Sequence, residues 1–355
     1  MSGFLTSLVG PSKMGKTILC EKVIGFDNII EISGVDLDSE EDFWKLIAIK
    51  AGMSYEGKFS TEKTIDITDD KYKKQQSYVL SKDKIIEYYN KHRKVLVIDD
   101  FHYANESRRM YVAKQLKDAI RRGFRAIVVS LPHRADEAIR QNADLSGRLS
   151  LINMESWKVD ELKEIALLGF GKLGIQISEK IATKIAIESL SSPQLMQYIC
   201  LNVCMVLDME KSDNITDEVI KKAYRYTTVN FEYGDVVSFI LKGPNTRGRQ
   251  RNKFLAYDDR EYDLYSLLVK SIAENPPVIR LDFEEIKKRI NALIRDKQHL
   301  PTMQQIKDSL SKVHELISGR EDIFHVFDWK DDVLYILDPL FLFYLRWGDL
   351  RNVWK

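Results

Sequence analysis

Gly10-Pro11-Ser12-Lys13-Met14-Gly15-Lys16-Thr17 decides how this sequence is read. The eight residues fit the pattern G-x-x-x-x-G-K-[ST], and each fixed position answers a physical need. The glycines let the backbone curl so that successive N–H groups point inward at phosphate oxygens. A helix beginning near Gly15 puts its positive dipole end at the same place. Lys16 carries a cation to the β- and γ-phosphates, and the Thr17 hydroxyl is a ligand for Mg²⁺. The candidate nucleotide-binding residues are therefore Gly10, Pro11, Ser12, Lys13, Met14, Gly15, Lys16, Thr17 and Ile18. The pattern alone arises by chance, so its flanks matter. An apolar run, Phe4 to Val9, precedes it as a strand, and Ile18 to Ile24 follows as a helix.

Outward from that loop, Val95-Leu96-Val97-Ile98-Asp99-Asp100 supplies the second half of the site. Four apolar residues bury a central strand, and two carboxylates emerge at its C-terminal end, where ligands of open α/β sheets bind. Asp99 is the candidate Mg²⁺ ligand beside Thr17. Asp100 is placed to orient or deprotonate an attacking water. The plain alternative is that both carboxylates only cap the strand.

The surrounding pattern is α/β. Asn28 to Ser33 and Arg125 to Ser130 read as strands, and Glu40 to Ala51 and Ser107 to Arg122 as helices. Such alternation predicts βαβ units and a parallel sheet covered on both faces. Tyr55 to Tyr78, rich in Lys, Asp, Ser and Thr, breaks the rhythm as an insertion, either a hairpin or a solvated loop. After about residue 155 the strand signals stop, and Val159 to Leu207 reads as a run of helices. Thr216 to Tyr226 adds another helix and leads into an irregular stretch. Pro244 to Lys253 (PNTRGRQRNK) reads as a basic, turn-rich linker. Beyond it, helices at Tyr262–Ala273, Phe283–Ile294 and Met303–Ile317 precede strands at Phe324–Trp329 and Val333–Leu337, the make-up of a winged helix. The expected divisions are a P-loop core at 1–155, an all-α lid at 156–228, a linker at 229–258 and a winged-helix domain at 259–355.

Composition restricts the alternatives. At 355 residues the chain exceeds what one hydrophobic core usually serves, roughly 250–300 residues. Fifty-four Lys and Arg against 53 Asp and Glu leave a net charge of +1, so any polyanion-binding surface must be a local patch. Three cysteines make no disulfide framework, and a cytoplasmic setting is expected. The first residues lack the basic stretch of a signal peptide, and the apolar run Val333 to Trp347 is too short to span a bilayer.

With these residues in view, GPSKMGKT and VLVIDDFHYA resemble the Walker A and Walker B motifs of AAA+ and STAND-type P-loop ATPases. The likeness is to the branch of archaeal and bacterial ATPases with a C-terminal winged helix, beside the replication initiators. It implies a P-loop NTPase sheet core, a helical lid, a winged helix, ATP and Mg²⁺ as ligands, and a homo-oligomer. It further implies Ser130 as a polar sensor, Arg148 (in Leu145-Ser146-Gly147-Arg148) as an arginine finger, and Arg134 as a second γ-phosphate arginine. Pro193 in IESLSSPQLMQ stands where STAND lids carry a base-contacting proline. ILDPLFLFYLRW resembles the ending of the archaeal-ATPase winged helix. Two departures bear on function. Only nine residues precede Gly10, where the family carries a segment that helps enclose adenine, so either base specificity stays open or the chain starts late. Asp100 stands where AAA+ proteins usually have glutamate, as in STAND proteins that behave as slow switches.

Several residues keep two readings. Arg148 acts on a neighbour's nucleotide or is a surface arginine. Arg134 senses phosphate or belongs to a mixed-charge helix. Ser130 senses phosphate or bonds to backbone. Pro193 touches the base or simply starts a helix. Cys200 and Cys204 read as core packing, and His102 as either a site-lining or an idle loop residue. The expected function is a slowly hydrolysing ATP switch whose state gates oligomerisation or binding of a protein effector, in a setting such as prokaryotic defence. The alternatives are a DNA-binding ATPase of the initiator or transposition-helper type, and a nucleotide-stabilised scaffold that barely turns over.

Overall fold

The computed structural model describes residues 3–38, 42–54, 56–63, 72–131, 148–210, 214–246, 248, 250–318, 320 and 325–350. The chain divides into two compact units: Met1–Gly10 with Gly15–Glu155, and Pro11–Met14 with Ser156–Lys355.

The first unit is built on a five-stranded sheet. Its strands are β1 (Leu5–Val9), β2 (Ile29–Ser33), β5 (Val95–Asp99), β6 (Ala126–Ser130) and β7 (Leu149–Asn153), in the order β2-β5-β6-β1-β7. Every pairing in it is parallel. Alternation along β5 shows why the run is apolar throughout. Leu96 and Ile98 join the core on one face, with Phe43, Ile47, Tyr89 and Leu116. Val97 joins Leu8, Cys20 and Val129 on the other. The first face is covered by α2 (Phe43–Lys50), α3 (Lys82–Lys91) and α4 (Glu106–Arg121), and the second by α1 (Lys16–Ile24). Polar caps start the covering helices. Asp42 accepts from Trp44 N at 2.6 Å, and Asn105 accepts from Arg108 N at 2.9 Å. The insertion is a hairpin, with β3 (Glu56–Lys63) antiparallel to β4 (Tyr72–Val79). This architecture, with a G-x-x-x-x-G-K-T loop leaving β1, is a P-loop NTPase core.

The second unit opens with α5 (Val159–Lys172), α6 (Glu179–Glu188), α7 (Pro193–Glu210) and α8 (Asp217–Thr228). The stretch expected to be a linker is structured. It contains α9 (Gly234–Lys242) and β8 (Lys253–Leu255), the latter paired antiparallel with β9 (Glu261–Asp263). The physical reason is that Val236, Val237 and Ile240 give α9 an apolar face, which is buried in the unit's core. Arg251 makes several contacts with its described neighbours. It pairs with Asp263 at 2.8 Å, donates to the carbonyls of Lys242 and Pro244 at 2.5 and 2.7 Å, and stacks on Tyr265. Then come α10 (Leu264–Ala273), β10 (Arg280–Asp282), α11 (Phe283–Leu293), α12 (Met303–Ser318), β11 (Phe327–Lys330), β12 (Val333–Ile336) and α13 (Pro339–Trp347). That is the element order of a winged helix, and β10 adds a third strand to the two expected, in the order β10-β12-β11. One continuous apolar core runs from Leu162 to Leu350. Among the described residues no helix is long and apolar enough to cross a membrane.

Candidate nucleotide site

The site grows from the C-terminal ends of β1, β5 and β6. Gly10 extends the ladder one residue past β1 by donating to the Ser130 carbonyl at 3.2 Å. A Cβ on Gly10 would press on Met154 Cβ at 3.0 Å. Gly15 is the N-cap of α1 at φ 90°, a left-handed conformation that favours glycine. This turn leads directly into Lys16. The Lys16 side chain is 7% exposed and donates from Nζ to the Gly10 carbonyl at 2.9 Å, so it lies back across the loop. A buried ammonium is costly without acceptors, and triphosphate oxygens are acceptors of opposite charge.

Thr17 Oγ1 donates to Asp99 Oδ2 at 2.6 Å. That contact brings together the two residues expected to hold Mg²⁺. One hydroxyl and one carboxylate suit a cation that keeps several of its waters and takes its other ligands from phosphate. Asp99 Oδ1 accepts from the Asp100 N–H at 2.8 Å, and the Asp99 carbonyl accepts from Gly34 N at 2.7 Å. Negative charge at this end is felt nearby. Burial first, and then the Asp99 charge, pushes Glu31 above the usual carboxylate range and Cys20 up to about 11.

Asp100 sits in the left-handed region at φ 49°, half-buried. Its backbone is backed by Gly34, where an added Cβ would fall 2.2 Å from the Asp100 carbonyl oxygen. His102 is buried, with Nδ1 3.9 Å from Asp100 Oδ1. The sequence does not single out Gly34, whereas His102 reads there as either a site-lining or an idle loop residue. His102 follows Asp100 by two residues in VLVIDDFHYA; Gly34 has no fixed spacing from a motif, although a glycine directly after strand NIIEIS hints at a tight approach.

The remaining candidates fall as follows. Ser130 ends β6 beside Gly10, 1% exposed, and its hydroxyl has no hydrogen-bond partner among the described residues. Arg148 precedes β7, and its carbonyl accepts from Leu5 N at 3.0 Å. It therefore lies at the N-terminal end of the strands, about 13 Å of strand from the loop, and does not join the Lys16–Asp99 group of its own chain. Arg134 lies outside the described residues. Ile18 is 56% exposed on α1. In the second unit, Pro193 is the first residue of α7, behind Ser192, whose hydroxyl accepts from Leu195 N at 3.2 Å. Also within that unit, Ser192 Oγ donates to the Lys13 carbonyl and Trp157 Nε1 to the Met14 carbonyl, each at 3.2 Å. Pro11 and Ser12, which belong to the same unit, are half-buried.

No protein-family model matches the sequence, and no curated protein matches it. Among solved structures, the chain is similar to the ORC2 protein of Aeropyrum pernix, at 12% identity and a TM-score of 0.48, over 99% of this chain and 88% of that one. It is similar to Cdc6p from Pyrobaculum aerophilum, at 14% identity and a TM-score of 0.43, over 97% and 88% of the two chains. It is also similar to a point variant of RuvB from Thermotoga maritima, at 16% identity and a TM-score of 0.44, over 94% and 84%.

Proposed function

We propose that this chain is an ATP-binding, slowly hydrolysing switch of the AAA+/STAND kind. The observation that carries the reading is the closure of Thr17 onto Asp99 at 2.6 Å, directly beneath a loop whose lysine is buried. Thr17 and Asp99 would hold Mg²⁺, which when bound neutralises charge on the β- and γ-phosphates. Amides of the loop from Gly10 to Thr17 and the Lys16 ammonium grip the triphosphate. Asp100 accepts the proton of the attacking water. Ser130 is the candidate reader of the γ-phosphate. Arg148, at the N-terminal end of the strands and away from its own chain's loop, would act only on a neighbouring copy's nucleotide, a role that requires a homo-oligomer. Arg134 is the second arginine candidate, and Pro193 the candidate base contact.

Slow turnover follows from the residue after Asp99. Aspartate is one methylene shorter than the glutamate usual in AAA+ proteins, and Asp100 is held in a left-handed turn, so its reach is fixed. The γ-phosphate then biases two arrangements of the protein, and the change gates assembly or binding of an effector. A prokaryotic defence system is the setting that the sequence resemblance suggests. Light-scattering mass of the protein with ATP, with ADP and without nucleotide tests the switch. A larger species with ATP alone is expected, absent in Lys16→Ala. One mass under all three conditions sinks the switch.

The element order around α12 favours, as a second reading, a DNA-binding ATPase. Against it, Lys307 on α12 is tied to Asp332 at 2.5 Å. Steeply salt-dependent binding of duplex DNA, lost on Lys312→Glu, would select it.

A further inference from the structure

We propose that the second unit carries a track for single-stranded nucleic acid, built from two open clefts that share Arg260 and separate from the winged-helix face. It stands on different residues from the nucleotide site and does not depend on that reading. The first cleft, about 1420 Å³, is lined by Lys242, Arg251, Lys253 and Arg260, with Phe239 and Tyr262. The second, about 1210 Å³, is lined by Arg225 and Arg260, with Tyr226, Phe231, Tyr344 and Trp347. Arg260, in the turn of the β8–β9 hairpin, lines both, so the two clefts meet at it and their cations are brought together there.

Charge bookkeeping across the hairpin leaves this group positive. From Gly243 to Tyr257 the sequence contains no carboxylate. The hairpin's acids are engaged: Asp258 with Lys270 at 3.4 Å and the Tyr262 hydroxyl at 2.7 Å, Asp259 with Arg295 at 2.6 Å, and Asp263 with Arg251 at 2.8 Å. Lys253 lies opposite Asp263 in the strand register, yet Asp263 is committed to Arg251. Lys242, Lys253 and Arg260 are exposed and make no ion pair among the described residues. Glu261 and Asp349 are the remaining acids of the two linings.

Aromatic surface accompanies the charge. Tyr226 is 48% exposed, and Tyr344 and Trp347 are half-buried beside it. A cationic groove that follows a phosphate backbone, interleaved with rings on which bases stack, is the recognition chemistry of single strands; the bases of a duplex are already stacked on each other. α12 lacks that combination, since its sequence holds no Phe, Tyr or Trp and Lys307 is bound to Asp332.

Fluorescence anisotropy of labelled oligo(dT) and oligo(U), each of ~20 nucleotides, and of a duplex of equal length tests the track. The two single strands distinguish DNA from RNA as the source of the shared chemistry. The protein is used without nucleotide, and again as Lys16→Ala, so a failed ATP reading leaves this outcome untouched. Single strands should bind in preference to duplex, with log affinity falling linearly as log salt rises. Lys253→Glu with Arg260→Glu should lower affinity at least ~10-fold and flatten the salt slope, because phosphate contacts are lost. Tyr226→Ala should lower affinity ~5- to 100-fold with the slope unchanged, because only stacking is lost. Lys312→Glu on α12 should bind as the parent does. All four positions are exposed, and an unchanged melting temperature checks that each variant folds. No binding at the lowest salt, parental binding by the charge-reversed protein, equal binding of duplex, or loss on Lys312→Glu alone would each overturn the track. Displacement of the oligonucleotide by polyglutamate at equal charge would do the same.

Discussion

Thr17 Oγ1 and Asp99 Oδ2 meet at 2.6 Å across 82 residues of sequence. The bond joins the first turn of α1 to the end of β5, two elements that also pack together through Cys20 and Val97. A hydroxyl donating to a carboxylate is also a pair of oxygen ligands already gathered for a hard cation. Mg²⁺ should therefore tighten ATP binding at least ~10-fold (about 1.4 kcal/mol) in the parent protein. Asp99→Asn keeps an acceptor for Thr17 and removes the charge, so it should bind ATP equally with Mg²⁺ or with a chelator. Calorimetry in both buffers measures this. A variant that kept the full Mg²⁺ effect would place the ion elsewhere.

Binding and hydrolysis should separate at Lys16 and Asp100. Lys16→Ala removes the cation that spans the loop and should abolish ATP-dependent thermal stabilisation. Asp100→Asn should leave that stabilisation in place and slow single-turnover hydrolysis ~100-fold, the lower range for loss of a general base. Parental turnover of many per second would contradict the slow-switch reading, and an unaffected Asp100→Asn would remove Asp100 from the chemistry.

Gly34 offers a test of Asp100 without touching its carboxylate. An alanine Cβ would fall 2.2 Å from the Asp100 carbonyl oxygen, a distance that forces backbone movement. Gly34→Ala should cost about 2 kcal/mol of stability, as overpacking does. It should also lower hydrolysis at least ~10-fold while ATP still binds, because misplacement of a catalytic group by about 1 Å is expensive. Parental hydrolysis would mean that the position of Asp100 is not set from behind.

How much of this was legible in the sequence differs by region, and the reasons are physical. The loop, the strand VLVIDD and the alternating helices were readable because glycine geometry, apolar runs and carboxylates leave local signatures. Gly34 acts by approaching Asp100 in space, and no local pattern announces that; His102, two residues after Asp100, could be read as site-lining but not distinguished from an idle loop histidine. The PNTRGRQRNK stretch looked like a linker because its turn residues and charges are those of a solvated loop. Arg251, however, pairs with Asp263 and donates to the carbonyls of Lys242 and Pro244, contacts that a local pattern does not announce. β10 is three residues long, too short for alternation to register, and exists because β12 pairs with it.

Cys20 gives a pH prediction. Burial, and then the charges of Asp99 and Glu31, raise its thiol from about 9 to about 11 in the folded protein. The folded state thus holds a proton that the unfolded chain gives up at lower pH. The resulting stability is fully present below about pH 9 and is lost as pH rises through 11, at up to ~1.4 kcal/mol per pH unit. Denaturant midpoints of the parent should fall faster than those of Cys20→Ala between pH 9 and 10.5. Parallel curves would show that the thiol titrates normally.

The ILDPLFLFYLRW ending is explained by packing within the second unit. Arg346 forms a two-pronged pair with Glu188, through Nε at 3.0 Å and Nη2 at 2.6 Å, and also donates to Asn275 Oδ1 and the Ala273 carbonyl. Trp347 Nε1 adds a third bond to Glu188 at 2.7 Å. The two charged side chains are 8% and 13% exposed, so neither is well solvated. Removing one partner strands the other, and Arg346→Met alone should cost about 3–5 kcal/mol. Arg346→Met combined with Glu188→Gln removes both charges and should cost clearly less than the sum of the single changes, because no unpaired buried charge remains. Urea denaturation of the four proteins measures the coupling. Additive losses would mean that the two side chains act as separate packing units, and that the C-terminal helix is held on α6 by its apolar face alone.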